Sequence, residues 1–185
     1  LHDIGKIEAD GEIYNVVDVI KQGPAIIHVL DKSCKCEKGT LVAGKIDKER
    51  REQLAVHHTA THIVNSAAKR ILGKHINQAG AKKTLEKAHL DVTHFRSISA
   101  EETEKIEKEA NKIVKEDIPV RKMFMGRDEA ESKFGVFIYQ GGAVPGKVLR
   151  IVDIPEVDVE ACGGTHLNST KGIGEIKILK TTKIQ

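Results

Sequence analysis

Four side chains able to bind a metal stand in two pairs of identical spacing. His58 and His62 are four residues apart in HHTATH, and Cys162 and His166 are four apart in CGGTH. On a helix, positions i and i+4 project from one face about one turn apart, so His58 and His62 can grip one ion. Gly163 and Gly164 give the second pair a backbone free to curl tightly. Zinc accepts imidazole nitrogen at ~2.0 Å and thiolate sulfur at ~2.3 Å, usually in a tetrahedron of four. His58, His62, Cys162 and His166 are four ligands of those types. Each pair alone has an ordinary reading: surface or core histidines, a buried thiol, a plain Gly-Gly turn. The matching spacing of the two favours zinc. His57 is rotated by about 100° from His58 and reads as structural.

The elements that must carry these residues follow from patterning. Asp47 is placed to cap a long helix from Lys48 to about Leu72, with Gly73 at the position favoured beyond a helix C-terminus. Before it, residues 1 to 46 alternate apolar and polar in short bursts around Ile13–Val17, Ala25–Leu30 and Thr40–Gly44, separated by Gly- or Lys-rich turns. They read as a small, partial β-barrel. Strands are expected near Ala79–Thr84 and Ala88–Phe95. Ser99-Ala100-Glu101-Glu102 forms a capping box opening a second helix that ends before Ile118-Pro119. A strand at Val120–Met125, a short helix at Arg127–Phe134, a Gly-rich loop at Gln140–Gly146 and strands at Val148–Asp153 and Gly174–Lys180 complete the reading. The expected class is α+β. A β-barrel-like N-terminal subdomain (1–46) precedes an antiparallel sheet packed by long helices, which forms a zinc-containing α+β domain (47–185).

With 185 residues, 39% hydrophobic and 31% charged, the chain can form one ordinary core or two small ones. It is expected to be soluble and globular. No apolar run approaches the ~20 residues needed to span a bilayer, and Leu1-His2-Asp3 lacks the features of a signal peptide, so a cytoplasmic location and no membrane partner are expected. Leu1 opens directly into foldable sequence, which suggests a piece of a longer protein; trimming of a recombinant chain gives the same start. Three cysteines give no secreted disulfide framework and favour metal binding or free thiols. Cys34-Lys35-Cys36 is too tight for a usual zinc pair and is assigned no role. The net charge of +3 announces no nucleic-acid binder. However, Lys69, Arg70, Lys74, Lys82, Lys83 and Lys87 lie in a stretch whose one acid is Glu86. That stretch could follow a phosphate backbone or form a solvated face.

The helical H-x-x-x-H with a distant C-x-x-x-H inside ACGGTH resembles the editing domain of alanyl-tRNA synthetases and their free-standing editing relatives. The resemblance covers nearly the whole chain. It takes in HHTATHIV, Asn77-Gln78, YQGGAVPG at Tyr139–Gly146, Arg150–Pro155 and the ending Thr170–Lys180. YQGGAVPG is most similar to archaeal synthetases. Threonyl-tRNA synthetases of bacterial type share the core but not ACGGTH. The resemblance implies a glycine-rich segment before Leu1 and a final strand after Gln185; that N-terminal segment contributes to amino-acid discrimination in relatives.

The resemblance implies zinc-dependent hydrolysis of Ser-tRNA(Ala) and Gly-tRNA(Ala), with the acceptor end of tRNA(Ala) and the remainder of a synthetase chain as partners. A synthetic site sized for alanine cannot strongly exclude glycine or serine, so a second, hydrolytic site restores accuracy. Zinc could lower the pKa of a water or hold the substrate while a second water attacks, and four protein ligands favour the positioning role. Cys162 and His166 carry this chemistry. Gln78 is implied near the pocket, orienting substrate or water, or else is a loop residue bonded to backbone. Thr59, Thr61 and Thr165 could support the ligands or be ordinary hydroxyls. Three alternatives stand beside this: a free-standing trans-editing deacylase, a non-catalytic zinc-stabilised RNA-binding module, and a zinc peptidase. The last is disfavoured because Thr59 stands where H-E-x-x-H needs glutamate. Only 3% of residues are aromatic, which argues against base stacking as the main mode of an RNA-binding module.

Overall fold

The computed structural model describes residues 2–140, 142 and 144–183. The chain divides between Gln53 and Leu54 into two compact units.

The first unit is an antiparallel sheet of β1 (Gly5–Ala9), β2 (Glu12–Gln22), β3 (Ala25–Leu30) and β4 (Val42–Ile46), in the order β3-β2-β1-β4. Asp10 and Gly11, both at positive φ (50° and 76°), make the two-residue turn whose twist suits a β1–β2 hairpin. Among the described residues β3 and β4 are edges, so the barrel-like expectation narrows to an open sheet. β1 and β4 approach so closely at their ends that a side chain at Gly5 would overlap the Lys45 backbone. Cys34 and Cys36 pair as a disulfide in the β3–β4 connection, where the sequence reading favoured metal binding or free thiols for the cysteines and assigned this pair no role.

Helix α1 (Lys48–Leu72) starts as expected: the Asp47 carboxylate accepts the Arg50 N–H at 3.0 Å. Gly73, at φ 117°, ends it. β5 (Gln78–Lys83) and β6 (Ala88–Val92) form a hairpin, and Ser99 and Glu102 close the capping box of α2 (Ala100–Lys115). β7 (Arg121–Gly126), β8 (Val148–Ile154) and β9 (Asp158–Ala161) form an antiparallel sheet with β8 in the middle. α3 (Arg127–Phe134) is followed by a single 3-10 turn, Val136–Ile138. A second such turn spans Thr170–Ile173.

β8 carries buried apolar residues on both faces, Leu149 and Ile151 on one and Val152 and Ile154 on the other, with Arg150 and Asp153 between them. Leu149 and Ile151 pack with Ala130 and Ile138 on one side. Val152 and Ile154 pack on the other with Ile63 and Ala67 of α1 and Ile106, Ala110 and Ile113 of α2. The antiparallel sheets and three helices make the chain α+β.

Two segments differ from expectation. Gly174–Lys180 is not a strand. Its backbone groups are satisfied by α2 side chains: Asn111 bonds both Ile176 N–H (2.9 Å) and Ile176 C=O (2.7 Å), and Glu107 accepts the Ile178 N–H at 2.7 Å. β9, which no sequence pattern announced, is the strand beside β8 and leads into Cys162. No described helix is long and apolar enough to cross a membrane.

Candidate metal centre

His58 and His62 project from α1, and Cys162 and His166 from the turn after β9. Their ligand atoms all lie within 4.8 Å of one another. Cys162 Sγ is 3.5 Å from His58 Nε2 and 3.3 Å from His166 Nε2. The imidazole centroids are 4.1 to 5.4 Å apart. The structure thus brings together the four residues that the two spacings single out.

Each histidine has a further partner. His62 Nδ1 lies 2.7 Å from Asp158 Oδ2 and 3.4 Å from Glu160 Oε2. His58 bonds the Thr165 backbone. His166 Nδ1 is 3.3 Å from Thr59 Oγ1. That hydroxyl donates to Ala55 C=O at 2.9 Å and accepts the Leu167 N–H at 3.1 Å, so its remaining lone pair must accept the His166 Nδ1 proton. The Nε2 lone pair of His166 is thereby left for a ligand.

The downstream loop is fixed as firmly. Arg150 Nη1 donates to the carbonyls of Cys162 and Gly164, each at 2.7 Å. Gly164 packs flat on the His58 ring, where a Cβ would overlap Cε1 and Nδ1; Gly163 has open space. Of the two glycines, only Gly164 is required by close approach.

Electrostatics divide the ligands. Burial, with the charges of Lys83 and His62, lowers His58 to about 3. Burial and the neighbouring imidazoles hold His166 far below the usual histidine range. Burial opposes protonation of His62 too, but the hydrogen bonds to Asp158 and Cys162 and the charge of Glu160 win and raise it to about 10. Burial and the Asp158 charge raise Glu160 to about 7. Three imidazoles converging on one thiol, in a pocket where His62 and His166 are 2% and 6% exposed, suit a borderline cation such as zinc better than an oxygen-seeking one. The residues present therefore fit a zinc ion.

Gln78 opens β5 opposite Val92, and its backbone N–H donates to Gln140 Oε1 at 3.1 Å. Among the described residues no hydrogen bond joins Gln78 to the cluster. His57 Nδ1 bonds Thr84 C=O at 2.7 Å, which suits its structural reading, and Thr61 turns back to His58 C=O. Arg70 is committed to Glu109 and Glu156 C=O, which removes it from the basic stretch as a free cation. Gly141 and Ala143 of YQGGAVPG lie outside the described residues.

Sequence reasoning missed Asp158 and Glu160, although they alternate with Cys162 and so share one face of β9. Lys83, read from the sequence only as one of a basic stretch, is half-buried beside the cluster, and its charge acts on His58, Cys162 and Glu160.

Residues 149–185 match the family described as Threonyl and Alanyl tRNA synthetase second additional domain. The chain is 47% identical over 184 residues to an alanine-tRNA ligase of Methanococcus maripaludis, covering 100% of this chain and 20% of that protein. One of Pyrococcus furiosus gives the same identity and coverage. One of Methanosarcina mazei is 50% identical over 186 residues, covering 99% of this chain and 20% of that protein. The chain thus spans about a fifth of the length of the curated relatives it matches. With similarity along its whole length and the expected ligand residues gathered at one place, the chain belongs to the family of alanyl-tRNA synthetase editing-type domains.

Proposed function

We propose that this chain hydrolyses the ester bond of wrongly charged tRNA(Ala), releasing serine and glycine, at a zinc centre held by His58, His62, Cys162 and His166. The observation that carries the reading is the convergence of these four ligand atoms within 4.8 Å, from two segments about a hundred residues apart. Bound zinc supplies Lewis acidity, with which the ester is positioned and polarised.

The chain's own residues supply the rest. Lys83 places a positive charge beside the cluster, where negative charge grows on the carbonyl oxygen during attack by water. Gln78 offers an amide to orient the amino acid or the water. Thr59 and Thr165 hold the His166 and His58 rings in place. The acceptor end of tRNA(Ala) and the remaining parts of a synthetase chain are the partners this reading requires, in the cytoplasm. A separate, free-standing deacylase would use the same site.

A second reading has one observation in its favour: the cluster offers four protein side chains, the number that would fill a structural zinc site. In that reading the chain is a zinc-stapled RNA-binding module. Removing zinc with a chelator and following far-UV circular dichroism distinguishes the two. The editing reading expects loss of Ser-tRNA(Ala) hydrolysis with most secondary structure kept; the module reading expects unfolding.

A further inference from the structure

Two buried acids stand behind the metal centre without a part in the chemistry above. Asp158 and Glu160 have side chains only 6% and 5% exposed, and both face the Nδ1 side of His62, at 2.7 and 3.4 Å. Burying a carboxylate is costly unless it is paired, so their placement needs a partner, and His62 is the group they share. Glu160 Oε1 is itself buried with no hydrogen-bond partner among the described residues.

The surrounding contacts hold this arrangement rigidly. Ser66 Oγ donates to Val157 C=O at 2.6 Å and Arg70 to Glu156 C=O at 2.7 Å, so α1 grips the turn that delivers Asp158. Glu160 pairs with Val152 in the middle of the β8–β9 ladder. The helix that carries His62 and the strand that carries the acids therefore cannot slide past each other without breaking several bonds.

We propose that Asp158, backed by Glu160, is a positioning residue that fixes the Nδ1 proton and ring orientation of His62 so that Nε2 is presented to the metal beside Cys162. A carboxylate behind a metal-bound imidazole sets its tautomer and strengthens it as a donor. The inference rests on the reading that the centre holds zinc.

The test uses the 185-residue chain, its Asp158→Ala and Asp158→Asn variants, chelator competition for zinc, and long-range proton–nitrogen NMR of the imidazoles. Asp158→Ala is expected to weaken zinc binding about 10–100-fold while circular dichroism stays unchanged, and to release His62 from a single Nδ1–H tautomer. Asp158→Asn, whose Oδ1 still accepts a hydrogen bond, is expected to recover part of both. Unchanged zinc affinity and an unchanged His62 tautomer in a folded Asp158→Ala protein overturn the proposal. If that variant does not fold, the zinc-loaded wild-type spectrum decides: a His62 that carries no proton on Nδ1 overturns it equally. A wild-type chain that binds no zinc overturns the metal reading, whereas wild-type binding with an indifferent Asp158 overturns the positioning role alone.

Discussion

Gly164 lies so flat against the imidazole of His58 that a methyl group on its Cα would overlap the ring. The adjacent Gly163 faces open space and is free of that constraint. The pair offers an internal control. Gly164→Ala must push His58 out of the cluster or distort the loop, at a cost of about 1–3 kcal/mol typical of overpacking, and should weaken zinc binding. Gly163→Ala should change neither. Urea unfolding and chelator competition on the two variants check this; equal behaviour would contradict the packing described here.

Thr59 uses all its hydrogen-bonding capacity within the fold, giving to Ala55 and accepting from Leu167 and His166. Thr59→Val keeps the shape but strands two donors. The expected cost is about 1–3 kcal/mol in stability, with zinc affinity reduced because His166 loses its tautomer lock. Thr59→Ser should restore most of both. A valine variant with wild-type stability and affinity would show that the hydroxyl is idle.

Glu102 closes the capping box of α2 and takes a two-pronged hydrogen bond from Arg96, at 2.8 and 2.5 Å. The Arg96 bond, with the Ser99 N–H, lowers its carboxyl from 4.5 to about 2. A depressed carboxyl contributes stability above its unfolded pKa and loses that contribution as pH falls toward the folded one. Glu102→Gln, which keeps the cap but not the charge, should be less stable than wild type at neutral pH. The difference should shrink between about 4.5 and 2. Thermal melts across that range test it, and a difference independent of pH would refute the assignment.

Much of this architecture was legible because local chemistry and tertiary packing agree. Asp47, Gly73, Ser99 and Glu102 mark helix ends through hydrogen bonds made within a few residues, so their signals survive without knowledge of the fold. Half of the candidate cluster was legible because helical periodicity fixes His58 and His62 on one face whatever they pack against. Failure came where distant partners decide. Ile176 and Ile178 alternate like a strand, yet Asn111 and Glu107 of α2, not a neighbouring strand, take up their backbone groups. β9 is only four residues long and half acidic, which reads as a loop. Its acids are buried because they meet His62, from a segment about a hundred residues earlier, and no local pattern reveals that meeting.

The central claim is selective, metal-linked hydrolysis, and it is tested most directly by incubating the chain with Ser-tRNA(Ala) and Ala-tRNA(Ala) while measuring amino-acid release and zinc content. The account predicts that serine is released, that alanine is largely retained, and that Cys162→Ala with His166→Ala loses both the zinc and the hydrolysis. Full-rate release of serine by a folded, zinc-free double variant would contradict it.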